Sequence, residues 1–191
     1  MQLCFATNNH HKLEEVMGVL GGAFHLLTLS DIGCVEDLPE TQNTIAGNAQ
    51  QKAKFVWDRY KVPCFADDTG LEVEALNGAP GIYSARYAGD QRSASANMQL
   101  LLNNMKRIEN RKAQFRTVIS LIMPEGEWNF EGIMNGMILN KPRGEGGFGY
   151  DPIFLPVGLT KTLAELTLAE KNKLSHRAHA VNKLAEFLRL R

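Results

Sequence analysis

Two long β-rich runs, Phe115 to Met123 and Trp128 to Leu139, flank Pro124, Glu125, Gly126 and Glu127. Proline and glycine between two such runs are a turn signal, so the runs pair as an antiparallel hairpin. Upstream of the hairpin the pattern is different. Gln2 to Ala6 reads as a buried strand, Thr7 to Asn9 as a polar turn, and Lys12 to Leu20 as a helix with Leu13, Val16, Met17 and Leu20 on its apolar face. Phe24 to Leu29 reads as a second strand and Thr44 to Tyr60 as a long helix ending before Pro63. Cys64 to Ala66 reads as a short buried strand whose end delivers Asp67, Asp68, Thr69 and Gly70, and Ser93 to Ile108 as a helix with Met98, Leu101, Leu102 and Met105 inward. Leu163 to the chain end is mostly helical. Strands that alternate with helices, followed by a hairpin, specify the α/β class with a mixed sheet. At 191 residues, 44% of them hydrophobic, without repeats or low-complexity linkers, the chain reads as one domain, 1–191.

Lys plus Arg equals Asp plus Glu at 21 each, so there is no global basic field to hold a nucleic-acid backbone, and no nucleic-acid partner is expected. The balance conceals a polarity. Residues 31–80 carry nine acids against four bases, and residues 161–191 carry seven bases against three acids. Acids of the first segment suit a cation, and bases of the second an anion. The first apolar run, Leu3 to Ala6, is too short for a signal peptide, and no apolar stretch approaches the about 18 residues of a membrane span. Cys4, Cys34 and Cys64 form neither a CxxC pair nor an even framework, so buried thiols in a reducing cytoplasm are expected.

Several clusters carry possible chemistry. Thr7, Asn8, Asn9, His10, His11 and Lys12 lie between a strand and a helix, where backbone N–H groups and the helix dipole favour an anion. The same stretch also fits an ordinary βα loop with Asn8 or Asn9 as helix cap. Adjacent Asp67 and Asp68 repel each other unless a cation or donors satisfy them, and hard oxygen ligands suit Mg²⁺. Asp as a turn former before Gly70 is the plainer reading. Glu72 and Glu74 alternate with Leu71 and Val73 and read as a solvent-facing strand edge. Asn77 to Gly81 is a turn that either positions Arg86 or is purely structural.

Gly144, Gly146 and Gly149 match GxGxxG, but Asp151 and Pro152 follow at once where a dinucleotide fingerprint would open a helix. The loop reads instead as a presenter of Phe148, Tyr150 and Asp151, with rings to stack on a flat ligand and a carboxylate to accept from it. No GxxxxGK is present. Lys171, Ser175, His176 and Arg177 crowd into seven residues and either offer a fan of donors or form a solvated basic helix with Ser175 as cap.

Taken together, TNNHHK, ETQNTIAGNAQQKA, ADDTGLEVEALNGAPGIYSARYAG, GGFGYDPIF and EKNKLSHRAHA resemble, in order and over nearly the whole chain, the inosine triphosphate pyrophosphatase family, also called XTP/dITP diphosphatases. The resemblance implies an elongated mixed sheet flanked by helices, with two lobes and a central cleft for the nucleotide. It implies a Mg²⁺-dependent cytoplasmic homodimer that cleaves deaminated purine triphosphates (ITP, dITP, XTP) to monophosphate and pyrophosphate, cleansing the nucleotide pool. Carried over by position, Thr7 to Lys12 form the triphosphate loop and Lys52 faces phosphate. Glu40 and Asp68 hold the metal, with Asp68 also the catalytic base. Thr69 binds nucleotide, and Phe148, Gly149, Tyr150, Asp151, Lys171, Ser175, His176 and Arg177 surround the base. There are two departures from the family pattern: Ile45, Ala46 and Gly47 stand where Phe and Glu are common, and Asn8 where Gly is common. The alternatives are a Maf-type pyrophosphatase, which should lack the SHR and FGYD blocks present here, and a non-catalytic nucleotide-binding module.

Overall fold

The structure is a computed structural model that describes residues 2–20, 22 and 24–190. Its strands are β1 (Gln2–Phe5), β2 (His25–Leu27), β3 (Cys64–Val73), β4 (Pro80–Gly81), β5 (Lys112–Met123), β6 (Gly126–Ile138) and β7 (Phe154–Pro156). The helices are α1 (His10–Leu20), α2 (Ile45–Tyr60), α3 (Ala94–Asn104), α4 (Leu168–Leu174) and α5 (His176–Arg189). The sheet runs β2-β1-β3-β5-β6-β7, with β4 beside β3. β1 pairs parallel with β2 and β3, whereas β3 with β4 and β6 with β7 pair antiparallel, so the sheet is mixed, as expected. The hairpin forms over Lys112–Met123 and Gly126–Ile138, a few residues longer than its apolar runs suggested.

By contacts the chain divides into two compact units: Met1–Asp68 with Thr117–Gly132 and His176–Arg191, and Thr69–Arg116 with Ile133–Ser175. In the first unit the period-2 alternation of strands sorts residues onto two faces. Leu3, Phe5 and Phe65 join the core beneath α1 and α5, with Val16, Leu20, Val181 and Leu184. Cys4, Ala6, Cys64 and Ala66 turn the other way, toward Ala53 and Val56 of α2. The second unit has its own core of Leu71, Val73, Leu101, Met105, Phe115, Phe154 and Leu163.

Local chemistry explains the helix starts. The Thr44 hydroxyl accepts from Gly47 N at 2.9 Å and the Ser93 hydroxyl from Ala96 N at 3.3 Å. Thr167 and Glu170 form a reciprocal capping box that opens α4. Two expectations differ from the structure. Asp67 to Gly70 do not follow a short strand but lie within the ten-residue β3. The inward face of α1 carries Glu15, Val16 and Leu20, whereas Met17 is 54% exposed. An arginine from α5 takes Glu15 into the interior, which rotates the buried stripe. The C-terminal stretch is mostly helical, as expected, in two helices separated at Ser175 in extended conformation, and Arg191 lies outside the described residues. All three cysteines are free buried thiols, and burial pushes Cys4 and Cys64 up to about 12. No helix among the described residues is long and apolar enough to cross a membrane.

Candidate active site

The placement of Asp67 and Asp68 within a strand relieves most of their mutual repulsion, because adjacent strand residues point to opposite faces, and Asp67 is the last of the causes that raise Asp68. Asp67 shares the face of Phe65, beneath α1 and α5. Its Oδ1 accepts from Lys12 Nζ at 2.9 Å and its Oδ2 from Arg177 Nε at 2.9 Å. Arg177, 1% exposed, also donates through Nη1 to Oε2 of the buried Glu15. Burial alone would push the Asp67 carboxyl up, but the Lys12 and Arg177 charges outweigh it and hold it well below the usual carboxylate range. Burial lowers Lys12, an effect that Asp67 only partly offsets. The guanidinium of Arg177 is stabilised above its ordinary value, because Asp67 and Glu15 outweigh its burial.

Asp68 shares the face of Ala66, toward α2. Lys52 reaches from that helix and places Nζ 2.6 Å from Glu40 Oε1 and 3.4 Å from Asp68 Oδ1. Burial raises the Asp68 carboxyl, Lys52 and Lys12 oppose the shift, and Glu40 adds to it. A carboxyl raised in this way is a better proton acceptor near neutral pH than an ordinary aspartate. Lys52 is held above its usual value because Asp68 and Glu40 outweigh its burial.

This donor set is compatible with a divalent cation. Two carboxylates from different segments converge on one positive group, and hard oxygen donors suit Mg²⁺. No cluster of three His, Cys, Asp or Glu side chains able to hold a metal occurs among the described residues. Glu40 and Asp68 are the residues that could hold such a cation.

The opening turn combines both of its sequence readings. Asn9 caps α1, its Oδ1 accepting from Lys12 N at 3.2 Å, and Thr7 Oγ1 accepts from Asn9 N at 3.2 Å. Asn8, Asn9, His10 and His11 are exposed at the positive end of the α1 dipole, with Thr7 half-buried behind them. His176, the first residue of α5, is buried, with Nδ1 2.7 Å from the hydroxyl of Thr117 on β5.

The second unit holds another cluster. Asp151 is buried, and its Oδ2 accepts from Lys171 Nζ at 2.6 Å and from Phe148 N at 2.8 Å. The Lys171 ammonium also lies 4.7 Å from the centre of the Phe148 ring, within cation–π range. Gly147 has φ +69°, and a Cβ there would stand 2.2 Å from Asp151 Oδ2, so the loop closes around the carboxylate only with glycine. Tyr150 departs from its expected role as a presented ring: it is 4% exposed and donates through its hydroxyl to Ser84 O at 2.9 Å. Gly149 takes φ +62° between the two rings, Thr69 is half-buried on β3, and Ser175 is buried at the break between α4 and α5. Arg86 stacks its guanidinium 5.3 Å above the Tyr83 ring. Glu72 is half-buried against Gln114 and Arg116, and Glu74 accepts from Asn110, so both have structural partners.

The structure thus groups Lys12 with Asp67 and Arg177, Lys52 with Glu40 and Asp68, and Lys171 with Phe148 and Asp151. Sequence reading missed Glu15 and Thr117. An acid between Leu13 and Val16, three residues after Lys12, is a usable signal for Glu15. Thr117 carries no local signal, because the His176 ring that meets its hydroxyl comes from α5, 59 residues away.

Residues 3–187 match the model of the Ham1 family. A relative described as dITP/XTP pyrophosphatase from Porphyromonas gingivalis is 54% identical over 98% of this chain and 97% of its own length. Another of that description, from Flavobacterium johnsoniae, is 50% identical over 98% of each chain. Among solved structures, the Staphylococcus aureus Ham1 protein superimposes with a TM-score of 0.91 at 40% identity, covering 99% of this chain and 98% of that one. The HAM1 protein of Coxiella burnetii gives 0.92 at 34% identity over the full length of both. A match across nearly all residues, in sequence and in fold, places this chain in the Ham1 family.

Proposed function

We propose that the protein hydrolyses deaminated purine nucleoside triphosphates (ITP, dITP and XTP) to monophosphate and pyrophosphate, as a Mg²⁺-dependent homodimer in the cytoplasm, with residues 1–191 acting as one catalytic domain. The observation that carries this reading is the convergence of Glu40 and Asp68 on Lys52, beside a strand-to-helix loop that offers Lys12. Relatives at about half identity described as dITP/XTP pyrophosphatases support it.

Attack on the α phosphorus builds negative charge on phosphate oxygens, so positioning and charge neutralisation are what the protein must supply. Lys12 and Lys52 place two ammonium groups for the triphosphate, and Thr7 to His11 add backbone N–H groups at a helix start. Mg²⁺, when held by Glu40 and Asp68, supplies Lewis-acid neutralisation of the phosphates. Asp68 orients the attacking water and accepts its proton. Phe148, Gly149, Tyr150, Asp151, Lys171 and Ser175 serve the nucleobase, with Phe148 as the stacking surface, and Thr69 contacts the nucleotide. Tyr150 contributes by shaping the loop from within. Selectivity comes from His176 and Arg177 as donors to a 6-oxo group. The 6-amino group of ATP presents a donor there instead and leaves a buried group unpaired.

A pyrophosphate-release assay across ITP, XTP, dITP, ATP and CTP, with and without Mg²⁺, tests the reading. Strong preference for the first three, dependence on Mg²⁺, and a kcat loss of about 10²-fold or more in Asp68→Asn are expected. Equal kcat/KM for ITP and ATP, or near-normal turnover by Asp68→Asn, refutes it.

A further inference from the structure

Glu15 and Asp67 are 3% and 1% exposed, and neither has a part in the mechanism above. Both oxygens of Asp67 are engaged, Oδ1 by Lys12 and Oδ2 by Arg177, while a second nitrogen of Arg177 meets Glu15. Glu15 follows Lys12 by three residues on α1, so the helix itself closes a ring: Lys12, Asp67, Arg177, Glu15 and back to Lys12. Two cations and two anions make the ring neutral, which lets four charged groups lie together out of water. It ties three elements, α1, β3 and α5, through side chains rather than backbone.

We propose that Glu15 and Asp67 are positioning residues, acting as one unit to hold the Lys12 ammonium and the Arg177 guanidinium where substrate meets them. This rests on the pyrophosphatase reading, in which Lys12 and Arg177 face the substrate. Long Lys and Arg side chains otherwise have to be ordered when substrate binds, and a ring that orders them beforehand removes that cost. The two aspartates of β3 thereby divide their labour. Asp67 anchors cations on one face, and Asp68, on the opposite face, is left to the reaction.

The test uses the full chain with Glu15→Gln, Asp67→Asn and the double variant. Initial rates of pyrophosphate release from ITP and from ATP are measured with Mg²⁺, well below each melting midpoint. Each single variant is expected to lower kcat/KM for ITP by about 10- to 10²-fold and to lower the ITP-to-ATP ratio. The double variant should lie within about 3-fold of the worse single one, because members of one network do not add. Losses that multiply in the double variant, or an unchanged ITP-to-ATP ratio, overturn the proposal, since a reduced folded fraction scales both substrates equally. If Asp67→Asn is not recovered folded, Glu15→Asp, which keeps the charge but shortens its reach, should fall between wild type and Glu15→Gln in that ratio, and three equal ratios overturn it. A wild-type protein inactive on ITP overturns the functional reading and this proposal together, whereas an active wild type with additive losses overturns the proposal alone.

Discussion

Removal of Lys52 is tightly constrained by the structure. Its ammonium is buried between Glu40 Oε1 at 2.6 Å and Asp68 Oδ1 at 3.4 Å, on side chains 24% and 11% exposed. Lys52→Met keeps the helix and most of the packing but leaves two carboxylates facing each other without a counter-charge. Removing one partner of a buried pair costs about 3 to 5 kcal/mol. Water reaching Glu40 screens part of that, so about 3 kcal/mol is the expected loss. For a chain of this size such a loss lowers Tm by about 6 to 12 °C. Differential scanning calorimetry in chelator gives that shift directly. Repeating it with millimolar Mg²⁺ should recover part of the loss, because a cation that binds only the folded state stabilises it. Pyrophosphate release from ITP should fall by about 10²-fold, since an ammonium aimed at developing phosphate charge is lost. A Tm within 2 °C of wild type in chelator, on the order of 1 kcal/mol or less, would refute the bridging role of Lys52. A lowered Tm that Mg²⁺ leaves untouched would refute the pairing of Glu40 with Asp68 as cation ligands.

Two further outcomes follow from the first unit. A Cβ on Gly132 would stand 2.0 Å from His176 O and 2.6 Å from Ala180 N, both backbone atoms, so Gly132→Ala must separate β6 from the start of α5. A Tm lower by about 2 to 12 °C is expected, and a wild-type melt would show that the contact is not as close as described. Asp67 is held below its unfolded value, so the unfolded chain binds more protons as pH falls. Its contribution is fully present above the unfolded pKa of about 4 and is lost as pH drops through the folded value. Urea midpoints from pH 5 down to pH 3 should therefore fall more steeply for wild type than for Asp67→Asn, and parallel slopes would remove Asp67 from the acid response. Asp68, raised by burial, contributes in the opposite sense as pH rises through its folded value.

Much of the site was legible because its residues sit in short, dense blocks. Lys12 lies in TNNHHK, Asp68 in ADDTG, Asp151 in GGFGYDP and Arg177 in SHR, each between recognisable periodic segments. The continuous apolar run of Leu3 to Ala6 and the uninterrupted helical pattern of Thr44 to Tyr60 likewise yield elements close to those observed. Two charges and a Gly look like a strand end when their counter-charges are unseen, which is why Asp67 lies deeper in its strand than local pattern suggests. Those counter-charges come from 55 and 110 residues away. The face of α1 departs from its apolar pattern for the same reason: Glu15 is an exposed polar residue by local pattern and an interior one only once Arg177 reaches it.

Sequence alone therefore determined the class of the fold, the order of most of its elements and the motifs from which the candidate site is drawn, because periodicity and clustered motifs are properties of neighbouring residues. Which oxygen faces which nitrogen was decided by tertiary structure. Strand alternation sends Asp67 to one helix layer, where the distant Lys12 and Arg177 hold its carboxyl down, and Asp68 to the other, where burial and Glu40 hold its carboxyl up against the pull of Lys52.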